Sequence, residues 1–321
     1  MRRIESASLA IVGVGAVGAA SAEIAVRAGV RRLTVIDRDV VELSNLSRQF
    51  LFDAADAARL TPKAAAAAAR LTAIEPAAQV RGVVADLDPA SAVRHLEGHD
   101  TILDASDNFE TRLLVSDAAR SLGALSVYAA CVGEEGLVAV SAPGTPCLRC
   151  YLEALPPAGS GPTCDTAGIV PSLPVTVAGI AMTEVLRALC GVQTSRGVLA
   201  LTAWSGGWRS RRLFEDARPS ESCPVCADGR FPALEGEGAS EVVKLCGRSA
   251  VQVAPAARER PDLDALERRL ARVGDVRRSE HLLSADVEGV SLTVFSDGRC
   301  VVRGTGDPLR ARTLYERYVG R

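Results

Sequence analysis

Leu9-Ala10-Ile11-Val12-Gly13-Val14-Gly15-Ala16-Val17-Gly18 opens on four apolar residues and runs into three glycines spaced as GxGxxG. The apolar run reads as a buried strand, the glycines as a tight turn, and Ala19 to about Arg27 as a helix closed by Gly29. Leu33-Thr34-Val35-Ile36-Asp37 is a second β-rich run that ends in an acid, completing a strand-helix-strand unit. In that setting the glycine turn predicts nucleotide binding, with phosphate against a helix N-terminus. Without it, the same glycines would serve only close packing of strand on helix.

Working outward, further strands are predicted at Val80–Val84, Thr101–Asp104, Leu125–Ala130 and Leu137–Ser141, and helices at Pro62–Ile74 and Glu110–Leu122. Thr61 can cap the first of these helices, with Pro62 at its first position and a polyalanine run after it. Alternating strands and helices imply an α/β fold, a doubly wound, Rossmann-like and largely parallel sheet. From Phe231 to Glu241 the composition shifts to Gly, Glu and Ala, so residues 231–242 are expected as a linker. After it a strand (Ala250–Val253), a helix (Leu263–Val273), β-rich runs to Val302 with a hairpin turn at Ser296-Asp297-Gly298, and a last helix (Pro308–Val319) predict a small α+β domain over 243–321. The nucleotide-binding domain is expected to occupy 1–230.

Composition narrows the function. Of 321 residues, 37 are basic and 39 acidic, interspersed along the chain, which is not the footprint of a nucleic-acid binder. The longest apolar stretch, Ser172 to Gly191, holds Pro174, Glu184 and Arg187, costly in lipid, so a buried core helix is expected and no membrane span. Met1-Arg2-Arg3-Ile4-Glu5 runs straight into the first strand without a signal-peptide pattern, which predicts a cytoplasmic, reducing location. Only three histidines (His95, His99, His281) are present, too few for a His-rich site or an evident triad. The two lysines, Lys63 and Lys244, stand out in a chain whose other basic residues are all arginine.

Three clusters carry chemistry. Arg38-Asp39-Val40-Val41-Glu42-Leu43-Ser44-Asn45-Leu46-Ser47-Arg48-Gln49 follows Asp37, and its amides and guanidiniums exceed what a dinucleotide pyrophosphate needs. A triphosphate calls for such cations, and Arg48 and Lys63 can supply them, Lys63 at the start of a helix whose dipole also favours anions. Taken singly, Arg48 reads as a solvated charge and Lys63 as a helix-surface residue. Asp104-Ala105-Ser106-Asp107-Asn108-Phe109 places carboxylates at the sheet's C-terminal edge, where one can hold Mg²⁺ against phosphates, while Asp107 can also cap the helix that follows.

The third cluster is cysteine. Cys147-Leu148-Arg149-Cys150 and Cys223-Pro224-Val225-Cys226 offer four thiolates, a set that suits a closed tetrahedral zinc site of structural type. The separation is far longer than in a zinc finger, so the metal would staple two distant segments. Cys164 sits in a Gly- and Pro-rich stretch, Pro156 to Gly168, where an exposed thiol is expected. Cys131, Cys190, Cys246 and Cys300 read as small core residues.

Taken together, Gly13 to Gly18, Asp37-Arg38-Asp39 through Gln49, Thr61-Pro62-Lys63-Ala64, Asp104 to Asn108 and the two CxxC pairs resemble the ThiF/MoeB/HesA family, the bacterial relatives of ubiquitin-activating enzymes, over Leu9 to Cys226. The tail from about Val243 resembles the extension of ThiF-like members. The resemblance implies an E1-like adenylation fold and an adenylyltransferase that uses ATP to activate the Gly-Gly terminus of a small ubiquitin-like sulfur-carrier protein of a thiamine, molybdopterin or related pathway. It implies that Gly13, Gly15 and Gly18 line the nucleotide and Asp37 holds the ribose. Asp39, Ser44, Asn45, Arg48 and Lys63 belong to the ATP site, the last three on phosphates, and Asp107 binds Mg²⁺ beside Asn108. It further implies a homodimer, a sulfurtransferase donor, a role for Cys164 in sulfur transfer, and an N-terminal arginine crossing the dimer interface, for which Arg2 or Arg3 stands available. Two other readings are an NAD- or FAD-dependent Rossmann oxidoreductase and a non-catalytic carrier-binding scaffold.

Overall fold

The computed structural model describes residues 2–152, 167–237, 242–245 (as backbone), 249–254 and 261–320. Contacts divide the chain into two compact units, Met1–Ala239 and Ser240–Arg321.

The first unit runs α1 (Arg2–Ser6), β1 (Ser8–Val12), α2 (Ala16–Arg27), β2 (Arg32–Asp37), α3 (Ala54–Ala58), α4 (Lys63–Ile74), β3 (Gln79–Val84), α5 (Ala92–Leu96), β4 (Thr101–Asp104), α6 (Phe109–Ser121), β5 (Leu125–Val132) and β6 (Glu135–Ser141). A core helix Ser172–Leu189 and strands β7 (Val198–Thr202) and β8 (Arg209–Leu213) follow. The eight strands form one sheet in the order β3-β2-β1-β4-β5-β6-β7-β8, parallel from β3 to β5 and antiparallel beyond. Parallel strands buried on both faces must be apolar at every position, and β1 is buried along its whole length. Leu9 and Ile11 face α2, α4 and the core helix through Ala22, Val26, Leu71, Val177 and Met182. The alternate residues Ala10 and Val12 face α5 and α6 through Leu96, Leu114, Val115 and Ala118.

The glycine turn is fixed by close approach. Gly13 has φ +84°, and a Cβ there would lie 2.7 Å from the Ala105 carbonyl oxygen. At Gly18 a Cβ would lie 1.9 Å from the Gly13 carbonyl oxygen, so any side chain would drive α2 off the turn. Helix α2 begins at Ala16, three residues earlier than its sequence pattern suggests, with Gly15 as its N-cap and no side chain satisfying its first amides.

The core helix is the one helix among the described residues long and apolar enough to cross a membrane, and it is half buried within this unit. Its Glu184 is no stranded charge: the carboxylate accepts from the Ser195 N–H at 2.8 Å and the Ser195 hydroxyl at 2.7 Å. Residues 231–237, expected at the start of a linker, form turns that pack back on this unit, the Ala233 N–H donating to Asp117 at 2.9 Å.

The second unit is a six-stranded antiparallel sheet, β11-β12-β13-β14-β10-β9, with β9 (Val242–Leu245), β10 (Ala250–Val253), β11 (Val276–Arg278), β12 (Leu282–Val287), β13 (Val290–Phe295) and β14 (Cys300–Arg303). The hairpin at Ser296 to Gly298 joins β13 to β14 as its sequence suggests. Helices Leu263–Leu270 and Pro308–Tyr318, capped by Asp262 and Asp307, lay Leu266, Leu270, Ala311 and Leu314 on Val251, Leu283, Leu292 and Val302.

Candidate functional site

The strand order reverses between β1 and β4, and at such a point a doubly wound sheet leaves a crevice at its C-terminal edge. The glycine turn, the loop after β2, the start of α4 and the loop after β4 all end there. Asp37 ties the first two together. One carboxylate oxygen accepts from the Val14 N–H at 2.6 Å and the other from the Asp39 N–H at 2.7 Å. Burial raises its pKa, and the nearby Lys63 ammonium works the other way.

Residues 39–41 and 61–63 pair as a short antiparallel bridge. Val40 stands opposite Pro62, the Val41 N–H donates to the Thr61 carbonyl at 2.9 Å, and the Lys63 N–H to the Asp39 carbonyl at 2.9 Å. Thr61 is therefore not the helix cap: it is drawn into the bridge, Pro62 takes the N-cap position in an extended conformation (ψ 134°), and α4 starts at Lys63. This hairpin-like entry directs Lys63 inward. Its side chain is 7% exposed and its Nζ lies 3.3 Å from Asp39 Oδ2, so it is not a helix-surface residue. Burial opposes its charge, but Asp39, Asp37 and Asp107 outweigh burial and raise its pKa, which keeps it an ammonium.

The segment after Asp39 turns through a 3₁₀ stretch, Leu43–Asn45. Asn45 is 1% exposed and accepts the Glu42 N–H on Oδ1 at 3.1 Å, while its Nδ2 finds no hydrogen-bond partner among the described residues. Gln49, 4% exposed, likewise has no partner for Oε1, and its amide lies against the open face of Gly15. A buried amide with unmet capacity against the glycine turn, and a second one four residues earlier in the same loop, are what a polar ligand would satisfy. Arg48 is half-buried and donates to the Ser44 carbonyl at 2.8 Å.

Beyond β4, Asp104 is buried and accepts from the Ser106 N–H at 3.0 Å and the Ser106 hydroxyl at 2.7 Å, and burial raises its pKa. Asp107 does not cap α6. Asn108, extended at φ −131°, stands directly before Phe109 and its side chain accepts the Thr111 N–H at 2.8 Å, which leaves Asp107 exposed at the crevice. Gln49 closes the cluster that follows Asp37, and only its position next to Arg48 signals a role there in the sequence. Arg38, to which residue type assigns no role, is half-buried near Asp86, Asp39, Asp107 and Asp37, which together hold its pKa above the usual range against the cost of burial.

The second cluster also assembles. The sulfurs of Cys147, Cys150, Cys223 and Cys226 lie within 4.8 Å of one another, with 3.5 Å between Cys147 and Cys223 and 3.7 Å between Cys150 and Cys226. Four sulfurs at about 2.3 Å from a tetrahedral zinc would stand roughly 3.8 Å apart, so the set fits that ion. Burial and the neighbouring sulfurs push the Cys147 thiol well above its ordinary range, a cost that a bound dication would reverse. Cys164 and Cys246 lie outside the described residues. Cys300 is buried as expected, whereas Cys131 and Cys190 are only partly so. Arg3 is engaged within its own chain, donating to the Cys190 carbonyl at 2.7 Å at the C-terminal end of the core helix, where a cation meets the dipole.

The family described as the ThiF family matches residues 1–225. The chain is 39% identical to the sulfur carrier protein ThiS adenylyltransferase of Bacillus subtilis, over 99% of this chain and 94% of that one. It is 36% identical to a sulfur carrier protein adenylyltransferase of Thermus thermophilus, over 70% of this chain and 84% of the other. Among solved structures, E. coli MccB with ATP shares the fold at a TM-score of 0.59 and 16% identity, covering 70% of this chain and 68% of that one.

If the four cysteines hold zinc, purified protein contains about one zinc per chain by elemental analysis, and Cys223→Ser lowers both metal content and melting temperature, because binding energy at a structural site is also folding energy. A metal-free protein of undiminished stability would contradict the assignment.

Proposed function

The chain belongs to the ThiF family, and from that premise we propose that it uses ATP to adenylate the C-terminal Gly-Gly carboxylate of a small ubiquitin-like sulfur-carrier protein, releasing pyrophosphate. The observation that carries this reading is Lys63, a buried ammonium beside Asp39 at the crevice that also holds the glycine turn and the two unsatisfied amides of Asn45 and Gln49. A dinucleotide oxidoreductase has no use for that ammonium, and the similar proteins of Bacillus subtilis and Thermus thermophilus are sulfur carrier protein adenylyltransferases.

The attacking carboxylate is ionised at neutral pH, so the reaction needs no general base. Rate enhancement must come from position and from cations placed where charge builds on the phosphates. In this reading the α2 N-terminus and Gly13, Gly15 and Gly18 accommodate the nucleotide, and Asp37, with its remaining lone pairs, holds the ribose. Asp39 and Ser44 shape the site, Asn45, Arg48 and Lys63 meet the phosphates, and Asp107, beside Asn108, holds Mg²⁺. That ion would screen the phosphate charge. A homodimer and a sulfurtransferase donor belong to the same proposal. Cys164 would act after adenylation, its thiolate attacking the acyl-adenylate carbonyl to form a thioester and expel AMP, or taking the outer sulfur of a donor persulfide and releasing the donor's thiolate.

Asp107→Asn should remove most carrier-dependent exchange of pyrophosphate into ATP while the circular dichroism stays native, and near-normal exchange would refute the Mg²⁺ role. Lys63→Arg should depress exchange as well, since a planar guanidinium cannot take the place of a compact ammonium in a closed pocket. Cys164→Ser should leave exchange intact and reduce sulfur transfer in a reconstituted system. Unchanged transfer would mean that an external persulfide attacks the adenylate without it.

A further inference from the structure

Helix α6 touches both clusters. Its first residue follows Asp107 and Asn108 at the crevice. Within its buried face stands Asp117, fully enclosed, whose carboxylate receives both prongs of one guanidinium: Arg149 Nε donates to Oδ1 at 3.2 Å and Nη2 to Oδ2 at 3.1 Å. Arg149 is the residue just before Cys150 in the first CxxC turn, and its own side chain is 9% exposed. The same Asp117 oxygen accepts the Ala233 N–H at 2.9 Å, from the segment that leaves the second CxxC pair past Phe231, which itself packs on the cysteines. One buried carboxylate thus gathers the chain from both halves of the cysteine centre onto α6.

Two further contacts lie along the same path. Arg120 of α6 donates to the carbonyls of Ala142 and Thr145, just ahead of Cys147. Leu148 and Tyr151 of the cysteine turn line a cavity of about 20 Å³ together with Asp104, Arg112, Ser116, Tyr128 and Ser141. The hydroxyls of Ser116 and Ser141 are buried without a hydrogen-bond partner among the described residues, and the space suffices for one water molecule. Arg112, in turn, lies 5.1 Å from the Phe109 ring and 5.2 Å from the Tyr128 ring and donates to the Ser106 carbonyl at 3.0 Å, within the loop that carries Asp107.

We infer that Asp117 and Arg149 are positioning residues that couple metal occupancy of the four-cysteine centre to ATP–Mg²⁺ binding, with α6 as the strut between them. The inference rests on the adenylation reading. Loss of the metal frees the turn that presents Arg149, a change that Asp117 cannot ignore because its charge is buried and that guanidinium is its counter-ion. The adjustment falls on α6 and the Asp104 to Asn108 loop at its head. Binding linkage is reciprocal, so ATP–Mg²⁺ must strengthen zinc binding by the factor by which zinc strengthens ATP–Mg²⁺ binding.

The test measures zinc affinity of the whole chain by competition with a chelator, with and without a non-hydrolysable ATP analogue and Mg²⁺ in excess, and nucleotide affinity by calorimetry. Wild type should hold zinc about fivefold or more tightly with nucleotide present, the lower end of ordinary coupling between sites. Asp117→Asn should still bind zinc but lose that ratio, with weaker nucleotide binding. A purely structural role would lower melting temperature and zinc affinity equally with and without nucleotide, leaving the ratio unchanged, and that result would overturn the inference. Arg149→Lys keeps the charge without the two-pronged geometry, and gives the same reading if Asp117→Asn fails to fold. Nucleotide binding with unchanged zinc affinity in wild type would overturn this inference alone, whereas no nucleotide binding would overturn the adenylation reading with it.

Discussion

The Asp37 carboxylate bridges two backbone amides that would otherwise belong to separate loops, Val14 of the glycine turn and Asp39 of the loop after β2. Everything at the crevice is referred to that bridge. With Asp39 fixed, its carbonyl takes the Lys63 N–H and its carboxylate faces the Lys63 ammonium, so the first residue of α4 points inward. A carboxylate this buried is costly when ionised, and two amide donors and a nearby cation offset only part of that cost. In the loop that follows, Asn45 and Gln49 are left with buried amide atoms that no described residue satisfies. A site that binds a polyphosphate must be strained in this sense before the ligand arrives, because groups fully satisfied by the protein have nothing to offer it.

The cysteine centre shows a second use of buried charge. Asp117 and Arg149 pair two-pronged within the interior, an arrangement that gives geometry more than net stability. An apolar pair of similar volume would hold α6 to the cysteine turn about as firmly. It would not fix the angle between them. Retaining ions here makes sense if orientation of the helix that begins at the Asp107 loop is the quantity under control.

Much of this was legible in the sequence, for reasons that are local. Apolar and β-rich runs fall on the first six strands and helix-forming runs on α2, α4 and α6, and GxGxxG between a strand and a helix has few physical solutions. The four cysteines announce themselves by type and spacing. Three features were not legible because residue type alone leaves more than one conformation open at each. Thr61 has a capping side chain, yet the bridge to Val41 takes its backbone and moves the helix start to Lys63. Asp107 and Asn108 are both good caps, and only the extended backbone at Asn108 decides between them. Strands β7 and β8 carry no clean alternation: β8 reads Arg-Ser-Arg-Arg-Leu and lies at the sheet edge, where charged side chains guard unpaired backbone groups. Asp117, a single acid within an apolar helix face, was the one local signal of the link to the cysteine centre.

The proposed reaction transfers AMP from ATP to the terminal carboxylate of a carrier protein, and mass spectrometry of a Gly-Gly-ending ubiquitin-fold carrier after incubation with this chain, ATP and Mg²⁺ reads it out. The expected product is a carrier bearing one adenylate, formed only when ATP, the carrier's terminal glycine and this chain are all present. An unmodified carrier, with ATP left intact, for every Gly-Gly-ending sulfur carrier tried would contradict it.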